Sequence, residues 1–130
     1  MIEELSRLVG ETLKAMRARR FNLSIATISG GDARVVRRFE EFAAAASAGK
    51  SRFVAVVDEA GFNLFRRCLN YPRKTVWFIV ALGHHDDFPN VSSYICPNGS
   101  VMFVEGLPLT KEQEQKLASG IRTAGNRVTC

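Results

Sequence analysis

Histidine and cysteine are scarce in this 130-residue sequence, and no long apolar run occurs. The longest uninterrupted apolar stretch, Val76–Leu82, is seven residues. A membrane-spanning helix needs roughly 20, so no membrane association is expected. The amino terminus opens with Glu3 and Glu4 and no apolar stretch, unlike a secretory leader. Cys68, Cys96 and Cys130 form an odd set without CxxC spacing, whereas a stapled secreted domain carries an even one. Reduced thiols and a cytoplasmic location follow as expectations, with Cys96 a buried, inert thiol. Two histidines, His84 and His85, are too few for a three-histidine metal centre. Repeats, low-complexity tracts and linkers are all missing, which leaves one domain over 1–130. With 46% hydrophobic and 24% charged residues, disorder, collagen and coiled coil are excluded as well.

The apolar residues that are present fall into clear periods. Ile2, Leu5, Leu8, Val9, Leu13 and Met16 recur at three- and four-residue steps, predicting an amphipathic helix over 2–18. Phe21, Leu23 and Ile25 then alternate with polar or small residues as a half-buried strand. Asp32 is suited to cap a second helix that ends near Gly49. Phe53–Val57 predicts a strand. The residues after it read as a turn at Asp58–Gly61 and a returning strand, because Gly61 and Asn63 are poor residues near a helix start; a helix over 59–70 is the alternative. Thr75–Leu82, apolar on both faces, predicts a central strand. Asn98-Gly99 between apolar segments signals a hairpin joining Ser92–Cys96 to Ser100–Val104. Thr110 with Gln113 offers a capping box for a last helix over 111–123. The expected fold is therefore α+β: helix, strand and helix, then a largely antiparallel sheet and a carboxy-terminal helix. A three-layer α/β arrangement is the alternative.

Two features carry chemistry. The first is His84-His85-Asp86-Asp87, directly after the expected central strand. Imidazole and carboxylate are common ligands of Zn²⁺ and Fe²⁺, and a centre with an open position activates water. In an extended loop, adjacent side chains point opposite ways, so His84 and Asp86 are expected to converge while His85 faces elsewhere. The second is the basic balance: 18 Lys and Arg against 13 Asp and Glu, a net charge of +5. Lys14, Arg17, Arg19, Arg20, Arg34, Arg37 and Arg38 share their stretch with one acid, Asp32. Arg66, Arg67, Arg73 and Lys74 form another group with no acid between Gly61 and Gly83, and Tyr71 beside them offers a ring for stacking on a base. Arginine grips phosphate through a planar two-donor fork. The glycines of Ile28-Ser29-Gly30-Gly31-Asp32 match neither GxGxxG nor GxxxxGK[ST] and read as a tight turn.

These features point first to a small non-enzymatic binding or regulatory module without a cofactor. Its basic surface would engage nucleic acid or an acidic protein partner. The second reading is a small Zn²⁺- or other divalent-metal-dependent hydrolase centred on His84–Asp87. The third is an inhibitor or adaptor that meets a protein partner through a sheet edge. A homodimer is compatible with each.

Overall fold

The computed structural model describes residues 1–16, 23–30, 41, 52–67 and 76–126. Helix α1 (Ile2–Met16) is followed by strands β1 (Leu23–Ile28) and β2 (Arg52–Asp58), then helix α2 (Glu59–Arg67). Strand β3 (Val76–Leu82) leads through 3₁₀ turns at His85–Asp87 and Val91–Tyr94 into β4 (Ser100–Val104), and α3 (Lys111–Asn126) closes the described chain. The expected second helix lies outside the described residues apart from Glu41, which is helical.

The four strands form one sheet in the order β1-β2-β3-β4, and every neighbouring pair is parallel. This overturns the antiparallel expectation; the architecture is α/β-like. Two connections account for it. Residues 59–67 are helix and not a returning strand, so β2 and β3 are joined by a βαβ crossover. No hairpin turns at Asn98-Gly99: Val91–Tyr94 is a 3₁₀ turn, and β4 lies parallel to β3 with Phe78 opposite Ser100 and Leu82 opposite Val104. The turn bond expected near Asn98 exists, from Gly99 N–H to the Cys96 carbonyl at 2.7 Å, but it leads into a single strand. In each of β2 and β3 the first six residues are buried, as happens when both faces of a sheet are covered; the apolar runs Phe53–Val57 and Val76–Leu82 supply most of them.

A parallel sheet whose strands follow chain order must place its right-handed crossovers on one face. Accordingly, Phe62 and Phe65 of α2 and Phe88, Val91 and Ile95 of the β3–β4 connection pack together over Ala55, Val57, Ile79 and Ala81. The opposite face is covered by the terminal helices: Leu5 and Val9 of α1 and Leu117, Ile121 and Ala124 of α3 meet Val54, Val56, Phe78, Val80 and Val104. A register shift puts Phe53 opposite Val76 but Val54 opposite Phe78, so Trp77 is an extra residue in β3. Trp77 therefore joins Phe78 on the terminal-helix face. There its ring lies 3.7 Å beneath the Arg52 guanidinium, whose Nη1 donates to the Ala124 carbonyl at 3.0 Å. Burial pulls the Arg52 pKa below its usual value.

Local signals explain the helix ends. Thr110 Oγ1 accepts from Gln113 N–H at 3.1 Å, and Gln113 Oε1 accepts from Thr110 N–H at 2.9 Å, the expected capping box. Helix α2 is capped by Asp58, whose Oδ1 accepts from Gly61 N–H at 2.7 Å while Oδ2 accepts from the Ser29 hydroxyl. Gly61, which argued against a helix, is required by close packing. A Cβ at this position would stand 1.7 Å from the Ile28 carbonyl oxygen.

Candidate metal site at the carboxyl edge of the sheet

Because all strands run the same way, all four carboxyl ends open onto one edge. Open α/β sheets bind ligands at that edge where the strand order reverses; the order here has no reversal, so the residues at the edge decide. Residues that follow the strands there are Ser29 after β1, Gly83-His84 after β3 and Glu105 after β4. Asp58 and Ser29 are committed to each other and to the α2 cap, which makes them structural.

Gly83 continues the β3–β4 ladder, its N–H donating to the Val104 carbonyl at 2.8 Å. It has a φ of +146°, and a Cβ would press on the Phe88 ring at 3.0 Å and the Asp87 carboxylate at 3.2 Å. Glycine thus lets the chain leave the sheet and curl at once into the His85–Asp87 turn. His84 caps this turn. Its backbone N–H donates to Asp87 Oδ2 at 3.1 Å, and its Nδ1 accepts from Asp86 N–H at 3.2 Å.

Curling of the chain changes which side chains meet. His84 and Asp86 converge as expected, with Nδ1 and Oδ2 3.3 Å apart. His85, expected to face away, joins them: its Nε2 is 3.1 Å from Asp86 Oδ1, and the two imidazole centroids are 4.1 Å apart. The alternation that predicted divergence belongs to extended chain, and this segment is a 3₁₀ turn. One ligand atom from each of His84, His85 and Asp86 falls within 4.8 Å of the others, all three residues being exposed. Asp87 stays outside this group as the backbone cap. Glu105 was not singled out from sequence; its Oε1 stands 3.7 Å from His84 Nε2. Two imidazoles and a carboxylate make a borderline donor set suited to Zn²⁺ or Fe²⁺. Ligands about 2.1 Å from a tetrahedral ion stand about 3.4 Å apart; here His84 Nδ1 meets Asp86 Oδ2 at 3.3 Å, and His85 Nε2 meets the other carboxylate oxygen, Oδ1, at 3.1 Å.

Of the basic residues singled out, Lys14, exposed in the last turn of α1, and Arg66 and Arg67, both exposed in the last turn of α2, are described. Arg17, Arg19, Arg20, Arg34, Arg37, Arg38, Tyr71, Arg73 and Lys74 lie outside the described residues. Cys96 is buried, as expected, but it is disulfide-bonded and not a free thiol. That removes the reduced-thiol argument for a cytoplasmic location. No helix among the described residues is long and apolar enough to cross a membrane. Comparison with family models, curated proteins and solved structures returns no match, so the functional reading rests on the chemistry of the site itself.

Proposed function

We propose that this chain is a metal-binding α/β domain in which His84, His85 and Asp86 hold a divalent transition metal at the carboxyl edge of the sheet. The observation that carries the reading is the convergence of three ligand atoms within 4.8 Å on a turn anchored to the central strand. Three protein ligands leave coordination positions open to water, the condition for metal-assisted hydrolysis. Calorimetric titration with Zn²⁺ and, under anaerobic conditions, Fe²⁺ tests it, with Mg²⁺ and Ca²⁺ as hard-ion controls. Wild-type protein should bind the first two in preference to the controls, and His84→Ala and His85→Ala should each lose that binding. Equal binding by wild type and both variants would refute the site.

A basic surface for nucleic acid or an acidic protein is the second reading, favoured by the exposure of Arg66 and Arg67. Both arginines belong to the last turn of α2, an element separate from the metal turn, and the Arg66 guanidinium lies 5.7 Å from the Phe62 ring. The two readings are separable by mutation. Binding of short RNA or DNA followed by fluorescence anisotropy should weaken well over tenfold between roughly 50 and 200 mM salt if about four phosphates are neutralised. Arg66→Glu with Arg67→Glu should flatten that slope and leave zinc binding unchanged. Salt-insensitive binding indifferent to this pair would eliminate the reading.

A further inference from the structure

Strand β4 ends the sheet order, with β3 on one side and no described strand on the other. In a parallel pair, alternate residues turn both backbone groups toward the neighbouring strand. The Gly83 N–H bonds the Val104 carbonyl, so Ser100, Met102 and Val104 face β3 while Val101 and Phe103 turn N–H and C=O outward. Among the described residues, no hydrogen bond reaches the Val101 or Phe103 backbone. Protected edges carry lysine, proline or a bulge. Ser100-Val101-Met102-Phe103-Val104 has none of these, and its register with β3 is unbroken.

The side chains of the same two residues, about 7 Å apart on one face, line an open cavity of about 420 Å³ together with Val91, Ser92, Ile95 and Pro97. That size falls within the range of ligand pockets. Glu105 is next in the alternation and is exposed. Its carboxylate stands beside His84, which stacks on His85, and His85 meets the Phe103 ring edge-on. The free edge thus presents an apolar, apolar, acidic row.

We propose that the outer edge of β4 binds an extended peptide as a fifth strand, its apolar side chains filling this cavity. Peptide backbone completes the outward hydrogen bonds, and alternate side chains give specificity. An antiparallel strand at the edge of a parallel sheet is common and pairs slightly more stably per residue. Cross-strand complementarity then calls for Arg or Lys opposite Glu105 and apolar residues opposite Phe103 and Val101, in the order Arg-x-apolar-x-apolar. This site goes beyond the metal reading and needs no ion.

The probe is a fluorescent peptide, Thr-Arg-Thr-Leu-Thr-Val-Thr, titrated with the full chain in EDTA and followed by anisotropy. In the proposed register the Leu and Val N–H groups point at β4, and those of the threonines flanking Leu point away. N-methylation of Leu and Val should weaken binding at least about tenfold; N-methylation of those two threonines should change it by less than about threefold. Glu105→Lys should weaken binding about two- to fivefold and come to prefer the peptide with Glu in place of Arg. Equal losses from both methylation patterns overturn the proposal, as does a Glu105→Lys protein that still prefers the Arg peptide. Absence of saturable binding by wild type at millimolar protein overturns it too. A wild-type dimer in sedimentation that the peptide fails to dissociate overturns it in favour of a second copy at this edge. Because every titration is made in EDTA, failure of the zinc titrations leaves these outcomes unchanged.

Discussion

Replacing Gly61 with alanine reverses sign between a local and a global view of this chain. In an exposed helix the change stabilises by about 1 kcal/mol. Here the new methyl would stand 1.7 Å from the Ile28 carbonyl oxygen and 2.4 Å from its carbon, against a floor near 3.0 Å for real contacts. Both obstacles are backbone atoms at the end of a paired strand and cannot rotate away. Helix α2 must retreat by more than an ångström, which also stretches the 2.7 Å cap from Gly61 N–H to Asp58. Overpacking of this severity belongs at the upper end of its range, about 3 kcal/mol, and a lost cap adds about 1 kcal/mol. Set against the propensity gain, the net loss is about 3 kcal/mol. At roughly 4 °C per kcal/mol for a domain of this size, Tm should drop by about 12 °C. Gly106→Ala is the internal control, since a Cβ there meets nothing within 4 Å; it should be neutral or stabilise by up to about 1 kcal/mol. Urea denaturation followed by circular dichroism measures both. A Gly61→Ala protein as stable as wild type would refute the close approach of α2 to β1, and with it the βαβ reading of residues 52–82.

Three further substitutions probe other joints of the fold. Gly120→Ala should cost about 1–3 kcal/mol, because the added Cβ would stand 2.5 Å from the buried Phe78 ring; an unchanged urea midpoint would mean that α3 sits farther from β3. Thr110→Ala removes the acceptor of the Gln113 N–H and should cost about 1 kcal/mol, read as a Tm drop of about 4 °C. Arg52→Leu removes the cation over Trp77 and the donor to the Ala124 carbonyl. Loss of about 2–3 kcal/mol is expected from the desolvated cation–π contact and the orphaned acceptor, and denaturant melts showing no loss would place this pair outside the energetics of the core.

Helices α1 and α3 were legible in the sequence because their signals are local: the three- and four-residue spacing from Ile2 to Met16, and the reciprocal capping of Thr110 and Gln113. Strand β3 was legible as central because its apolar residues do not alternate. Strand direction was not legible, since it depends on what joins the strands. Gly61 was weighed for its helix propensity, when the deciding fact was the distance to Ile28, a residue 33 positions earlier. Asn98-Gly99 carries a hairpin signal, but Gly99 serves a close approach instead: a Cβ there would stand 2.6 Å from the Trp77 carbonyl oxygen. At the site, His84, His85 and Asp86 were visible as a rare adjacent set. The participation of His85 needed the 3₁₀ turn, which the positive φ of Gly83 starts.

Glu105 shows how strongly the site depends on strand direction. With β4 parallel to β3, Val104 lies opposite Leu82, and the next residue on one strand comes beside the turn that follows the other. Had β4 run antiparallel over the same span, Val104 would lie opposite Phe78 and Glu105 opposite Trp77. At about 3.3 Å per residue, the five steps from Trp77 to Leu82 would then hold Glu105 about 17 Å from the end of β3 and the His84 turn beyond it. No carboxylate from β4 would reach the imidazole. The pairing of His84 with Glu105 is thus a consequence of topology that can be measured directly. A nuclear Overhauser contact between the His84 ring protons and the Glu105 side chain is expected in the metal-free protein. If that contact is absent while Val104 and Leu82 still exchange ladder contacts, the strands are parallel but the side chains do not meet; if both are absent, the parallel pairing of β3 and β4 is itself wrong.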